Sequence, residues 1–217
     1  MNINNKSEKE NTYDAIVVGT GVSGGWAAKE LTEGGLKTLV LERGRDVKHV
    51  KDYPTMNKNT WELPYRDQLT AKERKDYPVQ LRTGYTVKQS TKHWWVKDTE
   101  QPYTEKKGAF DWIRGYHVGG RSLLWGRQVY RWSKQDFEAN AKEGVSIDWP
   151  IRYSDIEKWY DHVENFIGVS GMSEKLPQLP DGQFLPAMEM NCVEKDFRKN
   201  LFEKFGRTYT IGRVAHV

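Results

Sequence analysis

Cysteine is almost missing from this chain. The one copy, Cys192, excludes an internal disulfide framework and a cysteine-rich metal site. No apolar run approaches the ~20 residues that a membrane-spanning helix needs. Residues 1–12 lack the apolar stretch of a secretory signal. The expected location is therefore cytoplasmic by default. The alternative is periplasmic, with export carried by a signal-bearing partner. There is no basic block either. The 34 Lys and Arg are interspersed with 30 Asp and Glu, for a net charge of +4. That reads as solvated surface and gives no nucleic-acid site.

Apolar residues are also scarce, at 37% of 217. A complete α/β enzyme sits nearer half. The expectation is the N-terminal part of a longer chain, because a single strand–helix–strand unit cannot make a doubly wound sheet. Residues 1–12 are polar and are expected to form a disordered arm.

Against this background one stretch stands out, Tyr13 to Arg43, which reads YDAIVVGTGVSGGWAAKELTEGGLKTLVLER. Ala15, Ile16, Val17 and Val18 make a short β-branched run, which predicts a strand buried on both faces. The run ends in Gly19-Thr20-Gly21-Val22-Ser23-Gly24, a G-x-G-x-x-G. Gly19 permits a tight turn, Gly21 lets a pyrophosphate approach the backbone, and Gly24 lets a helix pack close on the strand. The helix, with Trp26, Ala27 and Leu31 on its apolar face, aims free N–H groups and its positive dipole end at that pyrophosphate. Gly34-Gly35 stops it. Thr38 to Leu41 is a second strand. Glu42 stands at its end, where a carboxylate takes a ribose hydroxyl of a dinucleotide. The plainer alternative is a glycine-rich turn without a ligand, which leaves the terminal acid unexplained.

From 45 to 110 the periodicity is lost. Pro54, Pro64, Pro78 and Pro102 interrupt it. A structureless loop of this length is improbable in a compact domain, so an excursion built of short elements is expected. It carries Trp61, Tyr65, Tyr77, Tyr85, Trp94, Trp95 and Tyr103. These rings are either a lid or sugar-stacking surface, or core where aliphatics are scarce, and the second is favoured. Residues 111–132 hold Gly119-Gly120 before Ser122 and an apolar run, a second anion-binding turn at a helix start.

Helices dominate 133–217. Ser133 caps one through Phe137 and Ala141 that stops at Gly144. Ser154-Asp155-Ile156-Glu157 matches a capping box, with Ile156, Tyr160, Val163 and Ile167 on one face and Gly168 past the end. Asn191 starts another, with Val193, Phe197, Leu201 and Phe205 on one side and Gly206 at its end. Thr208 to Val217 reads as a strand.

Two separated stretches resemble the glucose–methanol–choline (GMC) oxidoreductases. Tyr13 to Gly44 is similar to their FAD-binding start. Arg114-Gly115-Tyr116-His117-Val118-Gly119-Gly120-Arg121-Ser122 is similar to their second glycine signature, which packs along the FAD pyrophosphate and isoalloxazine. Val118 to Arg131 looks closest to the sugar-oxidising branch, such as pyranose oxidases and the large subunits of gluconate and glucoside dehydrogenases. The resemblance implies an α/β chain: a Rossmann-like FAD/NAD(P)-binding domain, incomplete here, with helical additions leading toward a substrate domain. Residues 13–44 would be the FAD-binding βαβ unit, 45–110 the excursion, 111–132 the second FAD-contacting motif, and 133–217 the helical segment. The implied cofactor-binding residues are Gly19, Gly21, Gly24, Glu42, Arg43, Arg114, Val118, Gly119, Gly120 and Ser122.

The departures carry information. Arg121 replaces the first of two small hydroxyl residues, and Trp125 stands where Asn is common. Leu124 occupies the position where some sugar-oxidising relatives attach FAD through histidine, so non-covalent FAD is expected. The implied partners are a small-molecule alcohol or sugar and, as electron acceptor, a small subunit or cytochrome. The resemblance implies that the family's catalytic histidine region would lie beyond Val217, which leaves the catalytic residues unknown. The five histidines here, His49, His93, His117, His162 and His216, do not fill that gap. His117 is nearest the implied flavin; it is either a hydrogen-bond partner of phosphate or flavin or a satisfied structural residue, and the second is expected. No metal constellation is visible. The rival readings are an NAD(P)-dependent Rossmann dehydrogenase and a truncated, non-catalytic nucleotide-binding module.

Overall fold

The computed structural model describes residues 12–83, 86–106, 108 and 110–215. The expected arm at 1–11, Tyr85 and His216 lie outside them. The chain divides into two compact units, Met1–Trp125 and Gly126–Val217.

The first unit begins as the sequence predicts. Strand β1 (Ala15–Val18) pairs in parallel with β2 (Thr38–Leu41), Ala15 opposite Thr38 through Val18 opposite Leu41. Helix α1 (Val22–Glu33) connects them and ends at Gly34 and Gly35, the latter at φ 85°. Gly24 makes the close crossing of helix and turn: a Cβ there would lie 2.0 Å from the Gly19 carbonyl oxygen.

The expectation of a strand buried on both faces is corrected. Val17 is buried, whereas Ile16 and Val18 are 62% and 81% exposed, and Val40 and Leu41 are exposed on β2. Alternate side chains leave opposite faces of a strand. Val17 points to the α1 side, near Gly24, and no described residue buries the other face. Helix α1 likewise has no fully buried residue, and Ala27 is exposed.

The excursion is made of short pieces: 3-10 turns at Thr60–Glu62, Pro64–Asp67, Gln80–Thr83 and Lys92–Trp94, and the one-turn helix α2 (Ala71–Arg74). Leu69, Tyr77 and Val87 form its core, with Leu81 and Trp95 against them. Tyr77 and Trp95 thus supply core, while Trp61 and Tyr65 are exposed. Glu73 fastens the segment. Its carboxylate accepts from Thr70 N and Oγ1, Gln89 Nε2 and Lys92 Nζ.

In the second unit, α3 (Lys134–Glu143) has the expected capping box between Ser133 and Asp136 and stops at left-handed Gly144. Phe137 is buried against Trp132 and Trp149. Helix α4 (Tyr153–Ile167) starts earlier than expected. Arg152, not Ser154, is its N-cap, and Asp155 accepts from the Arg152 amide at 2.7 Å. Asp155 serves as the reach-back acid because it falls three residues after Arg152, the capping-box spacing. Helix α5 (Cys192–Phe205) is capped by Asn191 and ends at left-handed Gly206. Its apolar side is mostly bare: Val193, Phe197 and Phe205 are exposed.

The C-terminal strand is shorter than expected. Among described residues only β4 (Val214–Ala215) is extended in a ladder, antiparallel to β3 (Val169–Ser170). The unit's polar centre is Arg131. Its side chain is 1% exposed and donates from Nε to Glu164 Oε1 at 2.9 Å and from Nη2 to Oε2 at 2.6 Å, with Asp161 and Tyr153 as further acceptors. Burial opposes the Arg131 charge, but these bonds outweigh it and keep the guanidinium protonated.

Candidate nucleotide site

The G-x-G-x-x-G turn lies entirely in the first unit. Gly19 sits at φ 89°, in the left-handed region where a Cβ would strain the chain, and its amide donates to Leu41 O at 2.7 Å. Gly21 is the N-cap of α1, in extended conformation. No side chain caps the helix and its first turn carries no acid. The leading N–H groups of a helix have no intrahelical partner, so the dipole's positive end is left open for an anion. A Cβ on Gly21 would meet no atom within 4 Å. The space before this glycine is free in a way that the space at Gly24 is not.

Glu42, at the end of β2, is drawn back to the turn. Its Oε2 accepts from Thr20 N at 2.8 Å and from Thr20 Oγ1 at 2.5 Å, and its Oε1 accepts from Gly44 N at 2.7 Å. Burial works against this carboxylate's charge. The bonds from Thr20 and Gly44 outweigh it and hold the acid below its ordinary pKa.

The second glycine motif comes to the same place. The Gly119 amide donates to Thr20 Oγ1 at 2.9 Å. A Cβ on Gly120 would lie 3.0 Å from Gly21 Cα, so the two turns touch backbone to backbone. The segment arrives there by running beside the chain after β2: Arg45 N donates to Tyr116 O and Val118 N to Arg45 O. Gly44 allows this approach, since a Cβ on it would fall 2.1 Å from His117 N. The expected helix start at Gly119-Gly120 is corrected to a single 3-10 turn, Gly120–Leu123. Gly119 and Gly120 both have positive φ, and Ser122 Oγ closes the turn by donating to Gly119 O at 2.6 Å.

The structure thus brings together Gly19, Gly21, Gly24, Glu42, Gly119, Gly120 and Ser122, with Val118 exposed beside them. The two arginines are engaged elsewhere. Arg43 donates to Tyr116 Oη and Gln101 Oε1 and lies over the Tyr116 ring. Arg114 is buried against Asp98 and the Gln101 carbonyl. Both tie the end of the excursion to the second motif.

Sequence reasoning missed Thr20 and Gly44. Thr20 occupies a variable position of the motif and carries no local signal. His117 corrects another expectation: it is buried at 2% exposure, yet neither ring nitrogen has a hydrogen-bond partner. Burial, joined by the Arg45 charge, lowers its pKa. Its ring packs against Trp94 and beneath Gly115. Among the described residues no group of three or more His, Cys, Asp or Glu is placed to hold a metal. No helix among them is long and apolar enough to cross a membrane.

No protein-family model matches the chain. Individual proteins do, and they define a class: over about 70% of its length the chain is similar to GMC-type oxidoreductases, which bears out the resemblance carried by the two glycine motifs. Among the particular relatives is the gluconate 2-dehydrogenase flavoprotein of Pantoea cypripedii, 31% identical over 173 residues, or 73% of this chain and 25% of the relative. The 2-methyl-1,2-propanediol dehydrogenase of Mycolicibacterium austroafricanum is 27% identical over 77% of this chain and 26% of its own. The fructose dehydrogenase large subunit of Gluconobacter japonicus is 27% identical over 73% and 27%. The chain spans about a quarter of the length of these curated relatives.

Proposed function

We propose that these residues are the FAD-binding, N-terminal part of an oxidoreductase that oxidises a CH–OH group of a sugar or other alcohol. The observation that carries the reading is the contact of the two glycine motifs around the open space at Gly21. The residues fit the cofactor. A pyrophosphate at Gly21 would face the free amides of the first turn of α1, on the positive end of its dipole. A carboxylate offers about four acceptor positions, and three of Glu42's are taken by Thr20 and Gly44. The Arg43 amide also bears on this carboxylate, and the Oε1 side, beside the Gly44 amide, is where an adenosine ribose hydroxyl would be accepted. The Gly119–Ser122 turn would lie along the pyrophosphate. Arg43 and Arg114 would act from behind, holding the second motif in register.

Bound FAD would supply the redox chemistry, accepting a hydride from the alcohol carbon. This part of the chain binds and orients. Leu124 has no atom able to form a link to flavin, so binding is non-covalent. A sugar or polyol as substrate is supported by the relatives' names, a gluconate dehydrogenase and a fructose dehydrogenase, and a small subunit as partner by the words large subunit in the second; a cytochrome as electron acceptor is part of the proposal. The Rossmann-like assignment rests on the β1–α1–β2 unit, and the boundaries proposed are 13–44, 45–110, 111–132 and 133–217.

The test is an absorbance spectrum of the purified protein that carries this chain. The expected result is a flavin spectrum, with FAD released on denaturation and bleaching on addition of the correct alcohol. A colourless protein that binds a nicotinamide nucleotide instead would overturn the reading.

A further inference from the structure

We infer that Thr20 is a positioning residue for the nucleotide, through which the ribose-binding carboxylate and the second glycine motif are held as one unit. The inference rests on the FAD-binding reading above and adds a residue that neither glycine signature requires.

The argument is one of donors and acceptors. A threonine hydroxyl has one proton to give and two lone pairs to accept with. Here the proton goes to Glu42 Oε2 at 2.5 Å, and a lone pair takes the Gly119 amide at 2.9 Å. The Thr20 amide donates to the same Oε2 at 2.8 Å. Oε2 thereby carries both Thr20 bonds, which leaves Oε1, beside the Gly44 amide, as the oxygen that a ribose hydroxyl would approach. The hydroxyl, together with the Thr20 amide, therefore holds Oε2 and turns Oε1 toward a ribose.

The same hydroxyl satisfies the amide at the head of the Gly119–Ser122 turn, which touches Gly21 through Gly120. Without it, Gly119 N loses its acceptor and Glu42 is held only by main-chain amides. The main-chain bond from residue 20 N is kept by valine, alanine and serine, so these variants isolate the hydroxyl. A ligand drawing on Glu42 and one packing on Gly119 are coupled through a single oxygen atom.

The experiment measures FAD and ADP affinity of the apoprotein carrying this chain, for the unmutated form and for Thr20→Val, Thr20→Ala and Thr20→Ser. Valine keeps the shape and removes the hydroxyl, alanine removes both, and serine restores the hydroxyl. Losing a hydrogen bond to a charged group is expected to weaken both ligands about tenfold to a hundredfold in Val and Ala, with Ser within about twofold of the original. The melting temperature of the folded apoprotein is measured beside it. Weaker binding without hydroxyl and recovery with serine, at matched melting, supports the inference. A role in folding alone would lower the melt and leave the affinity of the folded fraction unchanged, and that result overturns it. So does full affinity in Thr20→Val or Thr20→Ala when the unmutated protein binds. If the unmutated protein binds no FAD, the proposed function fails, and this inference with it.

Discussion

The amide of Gly119 meets the hydroxyl of Thr20 at 2.9 Å across 99 positions of sequence. That one bond joins two glycine motifs that are each weak alone. It also places the polar groups that a nucleotide would use on backbone turns, whose geometry is set by glycine and not by flexible side chains.

Gly21 and Gly24 should separate binding from folding. Gly21 has an extended backbone and open space where its Cβ would go. Gly21→Val should therefore fold and lose FAD. Gly24→Ala would drive a methyl to 2.0 Å from the Gly19 oxygen. It should destabilise the domain by at least the ~1–3 kcal/mol typical of overpacking. Flavin occupancy and thermal melts of both variants check this. Full occupancy in Gly21→Val would show that no phosphate passes there.

Glu42→Ala removes an acceptor from Thr20 and from Gly44 as well as from the ribose. A charged hydrogen bond is worth about 1.5–3 kcal/mol, so FAD affinity should fall by about one to two decades. Titration of the apoprotein measures it, and unchanged affinity would remove Glu42 from the site.

Acid should loosen the excursion. The Lys92 ammonium, with Thr70 and Gln89, holds the Glu73 carboxyl at about 2, against an ordinary 4.5. A carboxyl depressed in the folded state stabilises above its unfolded pKa. That contribution disappears as pH falls from 4.5 through about 2. Urea melts across this window should show stability declining, and Glu73→Gln should flatten the decline. An identical slope in the variant would assign the acid sensitivity elsewhere.

The Arg131–Glu164 pair should behave as a buried pair does. Each partner is almost wholly buried. Arg131→Met leaves the Glu164 carboxylate buried without its partner and should cost roughly 3–5 kcal/mol, whereas Glu164→Leu leaves Arg131 with Asp161 and should cost less. The double variant should lose less than the worse single one. A double variant whose loss equals the sum would show that the pair is not coupled.

Residues 1–217 expressed alone should associate. Ile16, Val18 and Leu41 on one sheet face, and Val193, Phe197 and Phe205 on α5, offer apolar surface to any neighbour. Size-exclusion chromatography should give polydisperse material with little bound FAD. A single monomeric peak with a cooperative melt and stoichiometric flavin would count against the proposed domain boundaries.

Local patterns made the elements legible. β1, α1 and β2 were readable because short β-branched runs flank a glycine turn. The helices α3, α4 and α5 were readable because each ends on a glycine that takes the left-handed conformation. What escaped depends on pairs far apart in sequence. The Thr20 hydroxyl has meaning only once Gly119 is beside it, and the need for glycine at 44 appears only when His117 arrives. Arg152 took the cap from Ser154 because Asp155 reaches back three residues to it. The exposed faces of Ile16 and Val18 reflect what packs on a strand, which the strand's own composition does not encode.

The contact of Gly120 with Gly21 has a kinetic side. The loop that joins them is long, and closing a loop costs entropy before the contact returns any stability. On the ribosome the first glycine turn emerges with its helix and stays half-built until the second motif has left the exit tunnel. A premature stop anywhere between 45 and 118 would release a chain that has the first glycine turn but not the Gly119–Ser122 turn that packs against it.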